Sequence, residues 1–307
     1  MKEIKVFCPA TIANVSCGFD VLGVALDNVG DTMVVRKTQE KGIRITKLEG
    51  QDLPMETLQN VAGVAGLALL EKSDYTGGFE IEIYKKIKAG SGIGSSAASS
   101  TGAVWAMNEL LDRPFTTLEL VKFSMEGERL ASGVAHADNV APALFGGFTL
   151  VRSYDPLDII PIHTPIELHA TVIHPQIEVK TSDSRKILKT NITLADGIKQ
   201  WGNVGGLIAG LFTEDYNLIG RSLEDHIVEP IRSILIPGFD QVKSEALKAG
   251  ALGCGISGSG PSIFAFSKGI DTANEVAAAM KEVYKNIGID YDVHVSKINS
   301  EGIKTIQ

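Results

Sequence analysis

Residues 88–101 read K-A-G-S-G-I-G-S-S-A-A-S-S-T. Before them, Phe79, Ile81 and Ile83 alternate with Glu80, Glu82 and Tyr84, the period of a strand. After them, an Ala-rich apolar segment runs as a helix to about Leu111. The order is therefore strand, glycine-rich turn, helix. Gly90, Gly92 and Gly94 allow positive φ and close approach of a ligand to the backbone. The free N–H groups and positive dipole end of the following helix make an anion site.

Two phosphate-binding loops are excluded. A Walker A loop needs a lysine after its last glycine, and Ser95 stands there. A dinucleotide fingerprint needs G-x-G-x-x-G, whereas these glycines fall at 90, 92 and 94. Ser95, Ser96, Ser99 and Ser100 suit capping, phosphate contact or Mg²⁺ ligation better than helix interior.

The 307 residues suffice for two domains with a sizeable core. A formal charge of -8 argues against nucleic acid as the main partner. No apolar run approaches the roughly 20 residues of a membrane span. The N-terminus enters a strand pattern directly, without the apolar core of a signal peptide. Cys8, Cys17 and Cys254 have neither zinc spacing nor even number, which points to a reducing cytoplasm.

Along the chain, residues 3–8 form a strand by alternation, and Pro9 to Leu26 mixes turn formers with Asn14, Ser16 and Asp20 among apolar neighbours. Those polar groups either build the turn or serve a ligand. Strands follow at 31–37 and 43–48, then a helix at 57–72 with Asn60 as a cap or a ligand contact. Thr116 and Glu119 make a capping box for a helix to about Ser132. Glu128 lies late on it, where the helix dipole does not favour a carboxylate, so it is either solvated or paired with a cation. His136, Asp138 and Asn139 stand in a small, apolar stretch. In a helix His136 and Asn139 would share a face; they either close a loop onto the core or belong to a site. Prolines between 154 and 165 mark a boundary between domains at 1–155 and 156–307. The second half alternates helices (182–189, 194–212, 239–249, 272–287) with strands (168–173, 263–266, 291–298) around a second glycine-rich loop, Gly253 to Ser262. The whole reads as an α+β fold.

Three motifs, P-A-T-I-A-N-V-S-C-G-F-D from Pro9, the 88–100 loop and G-I-S-G-S-G-P-S from Gly255, resemble in this order those of the GHMP kinases. The likeness spans nearly the whole chain. It implies an N-terminal domain like ribosomal protein S5 domain 2, a ferredoxin-like C-terminal domain and an active site between them. It also implies transfer of the γ-phosphoryl of ATP to a small alcohol with Mg²⁺, in the cytoplasm, by a homodimer. The H-A-D-N-V-A-P-A-L-F-G-G-F-T segment from His136, together with N-V-S-C-G-F-D from Asn14, most resembles the family members whose acceptor is L-homoserine.

Carried over by position, the resemblance implies that Ala89, Gly90, Ser91, Gly92, Ile93, Gly94, Ser95, Ser96, Ala97 and Ala98 wrap the ATP phosphates. Asn60 and Lys88 would lie toward the nucleoside, and Ser96 and Glu128 would hold Mg²⁺. A zwitterionic acceptor needs a cation for its carboxylate and an anion or amide for its ammonium. Arg185 and Arg232 fit the first role, Asp20 and Asn14 the second. Mevalonate, an acceptor of related enzymes, lacks the ammonium. His136 and Asn139 would reach the hydroxyl, with Asp138 supporting them or acting as base.

Overall fold

The computed structural model describes residues 2–179 and 181–307. The chain runs β1 (Glu3–Ala13), β2 (Leu22–Thr38), β3 (Gly42–Glu49), α1 (Val61–Lys72), β4 (Gly78–Tyr84), α2 (Ser95–Leu110), α3 (Thr117–Ser132), α4 (Val140–Phe145), β5 (Phe148–Tyr154) and β6 (Leu157–Ile162). It continues with β7 (Leu168–Pro175), α5 (Thr181–Lys186), α6 (Leu194–Thr213), α7 (Tyr216–Ser222), α8 (Glu229–Arg232), α9 (Phe239–Lys248), β8 (Gly253–Ile256), β9 (Ile263–Lys268), α10 (Ile270–Ile287), β10 (Tyr291–Lys297) and β11 (Lys304–Thr305).

Among the described residues, seven strands make the first sheet, ordered β11-β1-β2-β4-β3, with β5 on the start of β2 and β6 on β5. The β3–β4 pair is parallel, as a crossover through α1 requires; the others are antiparallel. Two departures from the sequence reading stand out. β1 does not stop at Cys8 but continues through the proline to Ala13, with a register shift between Pro9 and Thr11 that accommodates it. β2 begins at Leu22, so the turn formers compress into residues 14–21, where Asn14, Val15, Ser16 and Asp20 all have positive φ.

α2 lies between this sheet and helices α1 and α3, and nearly all its residues are buried. That position explains its composition. A helix covered on every side carries no polar face, and close neighbours leave room only for small side chains. A Cβ on Gly102 would strike Cys8 Sγ, and one on Gly127 of α3 would strike Ser100 Oγ. Ser100 and Thr101 are thus packing residues, the latter bonding back to Ala97 O at 2.6 Å.

The second sheet is antiparallel, ordered β10-β7-β9-β8. With α10 joining β9 to β10, and helices α5–α9 between β7 and β8, this is the strand order of a ferredoxin-like unit. α9 and α10 cover one face around Val242, Met280 and Tyr284. The other face, with Val172, Phe264 and Phe266, joins the core of the first sheet; the Phe148 and Phe266 rings meet edge to face at 5.7 Å. The sheets therefore share one apolar core. A division after 155 would cut the β5–β6 hairpin; the change of sheet falls between Ile162 and Leu168.

Candidate active site

A cleft of about 380 Å³ lies between the two sheets. One end is built by the glycine-rich loop. Gly94, at φ +71°, caps α2 and leaves the first N–H groups of that helix facing the cleft. Gly92, at φ +83°, packs so closely on the second glycine loop that a Cβ would lie 2.6 Å from Gly260 O and 2.7 Å from Ser257 O. Gly90, at φ +74°, faces open space. The two loops are stitched together: Ser257 Oγ donates to Gly92 O at 2.7 Å, and Ser262 N donates to Ser91 O at 3.2 Å. Thr11 N holds Ile93 O at 3.2 Å from the other side.

Beneath the first turn of α2, Lys85 forms a buried ion pair with Asp31. Its ammonium also donates to Ser95 O at 2.9 Å and Ser99 Oγ at 3.0 Å. Asp31 accepts in addition from the Lys86 and Ile87 N–H groups at 2.7 and 2.9 Å.

Glu128 enters the cleft from α3. Burial pushes its carboxyl up to about 7, against the lowering effects of a hydrogen bond with Ser96 and of the Lys85 charge. Its Oε1 is buried without a partner. Asp138, also buried, is pushed up to about 7 by burial and by the negative charges of Asp20 and Glu128. Two carboxyls poised near neutrality beside a helix N-terminus suit proton or cation chemistry.

The far end carries opposite charges. Arg185 Nη2 lies 2.8 and 2.7 Å from the two carboxylate oxygens of Asp20. Arg232 is buried, fixed by Ser184 O and Gly258 O, both at 3.1 Å, and burial lowers its pKa to about 10. Both guanidiniums approach the Phe19 ring, Arg185 at 5.5 Å and Arg232 at 5.1 Å from its centre. His136 Nδ1 stands 3.7 Å from Asp20 Oδ1, its Nε2 is buried without a partner, and burial lowers its pKa.

Of the residues expected from the sequence, Asn14, Asp20, Ala89, Gly90, Gly92, Gly94, Ser95, Ser96, Glu128, His136, Asp138, Asn139, Arg185 and Arg232 all line this cleft. Others sit elsewhere. Asn60 caps α1, its amide spent on Ala62 N at 3.0 Å and Pro54 O at 2.7 Å. Lys88 reaches the second sheet instead, 2.6 Å from Gln176 Oε1. Ile93, Ala97 and Ala98 point into the core, and Ser91 is buried. Asn14 lines the cleft, but its amide is occupied by Gly258 O at 2.8 Å and Asp20 N at 3.0 Å, so it shapes the turn. His136 and Asn139 do not share a helical face; α4 begins only at Val140, and residues 133–139 form a loop.

Sequence reasoning missed Lys85, Asp31, Thr11 and Phe19. A signal existed for the first two. Lys85 continues the inward phase of Phe79, Ile81 and Ile83, and Asp31 that of Met33 and Val35. Extending the β2–β4 register from Thr32↔Tyr84 sets them opposite each other. Charges on the buried phase of two adjacent strands demand a partner.

Comparison with known proteins is consistent with this geometry. The GHMP kinases N terminal domain profile matches residues 57–147, and the GHMP kinases C terminal profile matches 207–286. A homoserine kinase of Chloroherpeton thalassium is 47% identical over 319 aligned positions, covering 100% of each chain. One of Methanococcus maripaludis is 43% identical over 272, covering 87% of this chain and 89% of its own. The crystal structure of homoserine kinase from Cytophaga hutchinsonii superposes with a TM-score of 0.96 at 55% identity, covering 100% of this chain and 98% of that one. A mevalonate kinase structure shares the fold at a TM-score of 0.67 and 14% identity, over 97% and 99% of the two chains.

Proposed function

Since this chain belongs to the GHMP kinase family, we propose that it transfers the γ-phosphoryl group of ATP to the side-chain hydroxyl of L-homoserine, giving O-phospho-L-homoserine and ADP for threonine biosynthesis. The observation that carries this reading is one cleft with an anion-binding helix N-terminus at one end and an Asp20–Arg185 pair with Arg232 at the other. An amino-acid zwitterion matches that far end: its ammonium meets Asp20, its carboxylate the guanidiniums, and its own two charges replace the contact they make with each other.

Positioning follows from the chain's own groups. The backbone from Gly90 to Ser96 and the dipole of α2 hold the phosphates. Lys85 and Asp31 fix the loop from below. The Ser96 hydroxyl and the unpartnered Oε1 of Glu128 suit Mg²⁺, which usually takes one or two protein oxygens and completes its shell with phosphate and water. Held there, such an ion would offset negative charge on the transferring phosphates. Among the described residues no group of three or more His, Cys, Asp or Glu is placed to hold a metal ion, so a site shared with phosphate fits better than an all-protein cage. Asn139 and His136 orient the acceptor hydroxyl. Its oxygen forms the new bond to phosphorus as the bond to the bridging oxygen of ADP breaks. In a loose transition state the hydroxyl proton leaves late, passing to an oxygen of the transferred phosphoryl group and on to water, so Asp138 supports the geometry more than it drives the step.

A homodimer is the assembly we favour. Leu194, Ile198, Trp201 and Phe212 make an exposed apolar stripe on one side of α6, about 27 Å long at 1.5 Å per residue. Such a stripe is more than an isolated surface hydrophobe. No helix among the described residues is long and apolar enough to cross a membrane. The three cysteines are free and buried, as suits a cytoplasmic enzyme.

The deciding experiment is ADP release from Mg-ATP with L-homoserine, L-serine, L-threonine or mevalonate offered in parallel. Turnover confined to L-homoserine is expected. Preference for mevalonate would overturn the reading of Asp20 as the ammonium site, and silence with every alcohol would overturn the kinase reading.

A further inference from the structure

We infer that Thr11 is a positioning residue for phosphoryl transfer, acting through the Asn139 amide; the inference rests on the reading above, in which Asn139 meets the acceptor hydroxyl. Thr11 lies on β1 just beyond the register shift at Pro9 and is fully buried. Its Oγ1 donates to Asn139 Oδ1 at 2.7 Å. Among the described residues the Thr11 hydroxyl has no other partner, so rotating the amide would leave its proton without an acceptor. The bond therefore fixes the amide: Oδ1 faces the threonine, and the two N–H donors of Nδ2 face the cleft.

The same residue touches the phosphate loop twice. Its N–H holds Ile93 O at 3.2 Å. Its Oγ1 occupies the space that a Cβ on residue 94 would need, which, with the positive φ, makes glycine obligatory there. Asn139 Oδ1 lies only 3.1 Å from that same point. One residue thus sets the distance between the loop that carries the phosphates and the amide that carries the hydroxyl. An amide held this way presents donors alone to the cleft. It aligns the hydroxyl oxygen and the transferring phosphoryl, and it cannot take the proton.

The test is a double-mutant cycle on the full chain, with kcat and both KM values measured for ATP and L-homoserine. Thr11→Val removes the hydroxyl at nearly constant volume. It should lower kcat roughly tenfold, the order expected when a reacting group loses its orientation, with KM for ATP unchanged. In an Asn139→Ala background the same change should have no further effect, because the group it positions is gone. Thr11→Ser keeps the hydroxyl and should stay within about threefold of wild type. A wild-type-like Thr11→Val, or the same tenfold loss in both backgrounds, overturns the inference while leaving the kinase reading intact. Where Thr11→Val fails to fold, a tenfold loss in a folded Thr11→Ser does the same. Absence of wild-type turnover with L-homoserine removes the functional reading and this inference with it.

Discussion

Lys85 and Asp31 pair with side-chain exposures of 1% and 2%, directly under the turn where α2 begins. Such a pair is costly to assemble and costlier to break, because either partner alone is a buried, uncompensated charge. Lys85→Met should destabilise the protein by roughly 3–5 kcal/mol, read from denaturant unfolding. A double replacement of both residues by apolar side chains should recover much of that. A loss below about 1 kcal/mol for the single change would mean that water reaches Asp31.

The two buried carboxyls predict a pH signature. Glu128 and Asp138 each titrate near 7, above their ordinary 4.5 and 3.8. The folded protein holds those protons more tightly than the unfolded chain does. Their stabilisation is therefore complete below about pH 4 and is lost as pH rises through about 7. Glu128→Gln should raise the unfolding midpoint at pH 8, by a gain of roughly 1–3 kcal/mol, and leave it nearly unchanged at pH 4. The same variant should lose activity, and in wild type the Mg²⁺ concentration needed for half-maximal rate should rise as pH falls below 7. An equal Tm shift at both pH values would contradict the assignment.

Gly92 and Gly90 share a positive φ but not a setting. Gly92→Ala drives a methyl group against Gly260 O and Ser257 O, so the two loops must part. Activity should fall by two orders of magnitude or more, an effect of displacing the phosphates by about 1 Å. Gly90→Ala meets nothing and bears only the left-handed backbone cost of about 1–2 kcal/mol. Steady-state kinetics of both variants, beside their thermal midpoints, separates contact from conformation.

Asn139→Ala should lower turnover about a hundredfold, whereas Asp138→Asn should keep it within roughly tenfold, if orientation rather than proton abstraction carries the step. A dead Asp138→Asn enzyme that still binds both substrates would make Asp138 the base.

The α6 stripe gives a prediction about assembly. Trp201→Glu places a charge in the middle of the apolar face and should convert a dimer to monomers in sedimentation velocity. A dimer that persists at micromolar concentration would move the interface elsewhere.

Local physics was legible in the sequence and tertiary physics was not. The Thr116–Glu119 capping box lies within one turn and forms as read. The strand, glycine loop and α2 follow from alternation and composition, and the candidate site assembles most of the residues that motif likeness picks out. Lys85 lies outside the glycine-rich stretch, three residues before Lys88, and only the strand phase of Phe79, Ile81 and Ile83 marks it as inward. Thr11 escaped because a proline at position 9 suggested that β1 had ended. His136 and Asn139 do meet in one cleft, though through a loop. The segment is small and apolar enough to look helical, and the chain enters α4 only at Val140. Phe19 gives no pattern at all; its meaning lies in two arginines more than 160 residues away.

The stitching of Gly92 and Ser91 to Ser257 and Ser262 has a consequence for how the glycine-rich sequence can travel. Its letters all lie between residues 88 and 101, yet its shape is half owned by a turn on the other sheet. Grafted into a foreign scaffold, or kept in a fragment that ends with β6, the same fourteen residues would lack the surface that gives them form. The motif is portable as text and not as structure, so recombination between relatives must carry both glycine loops together to preserve the phosphate site.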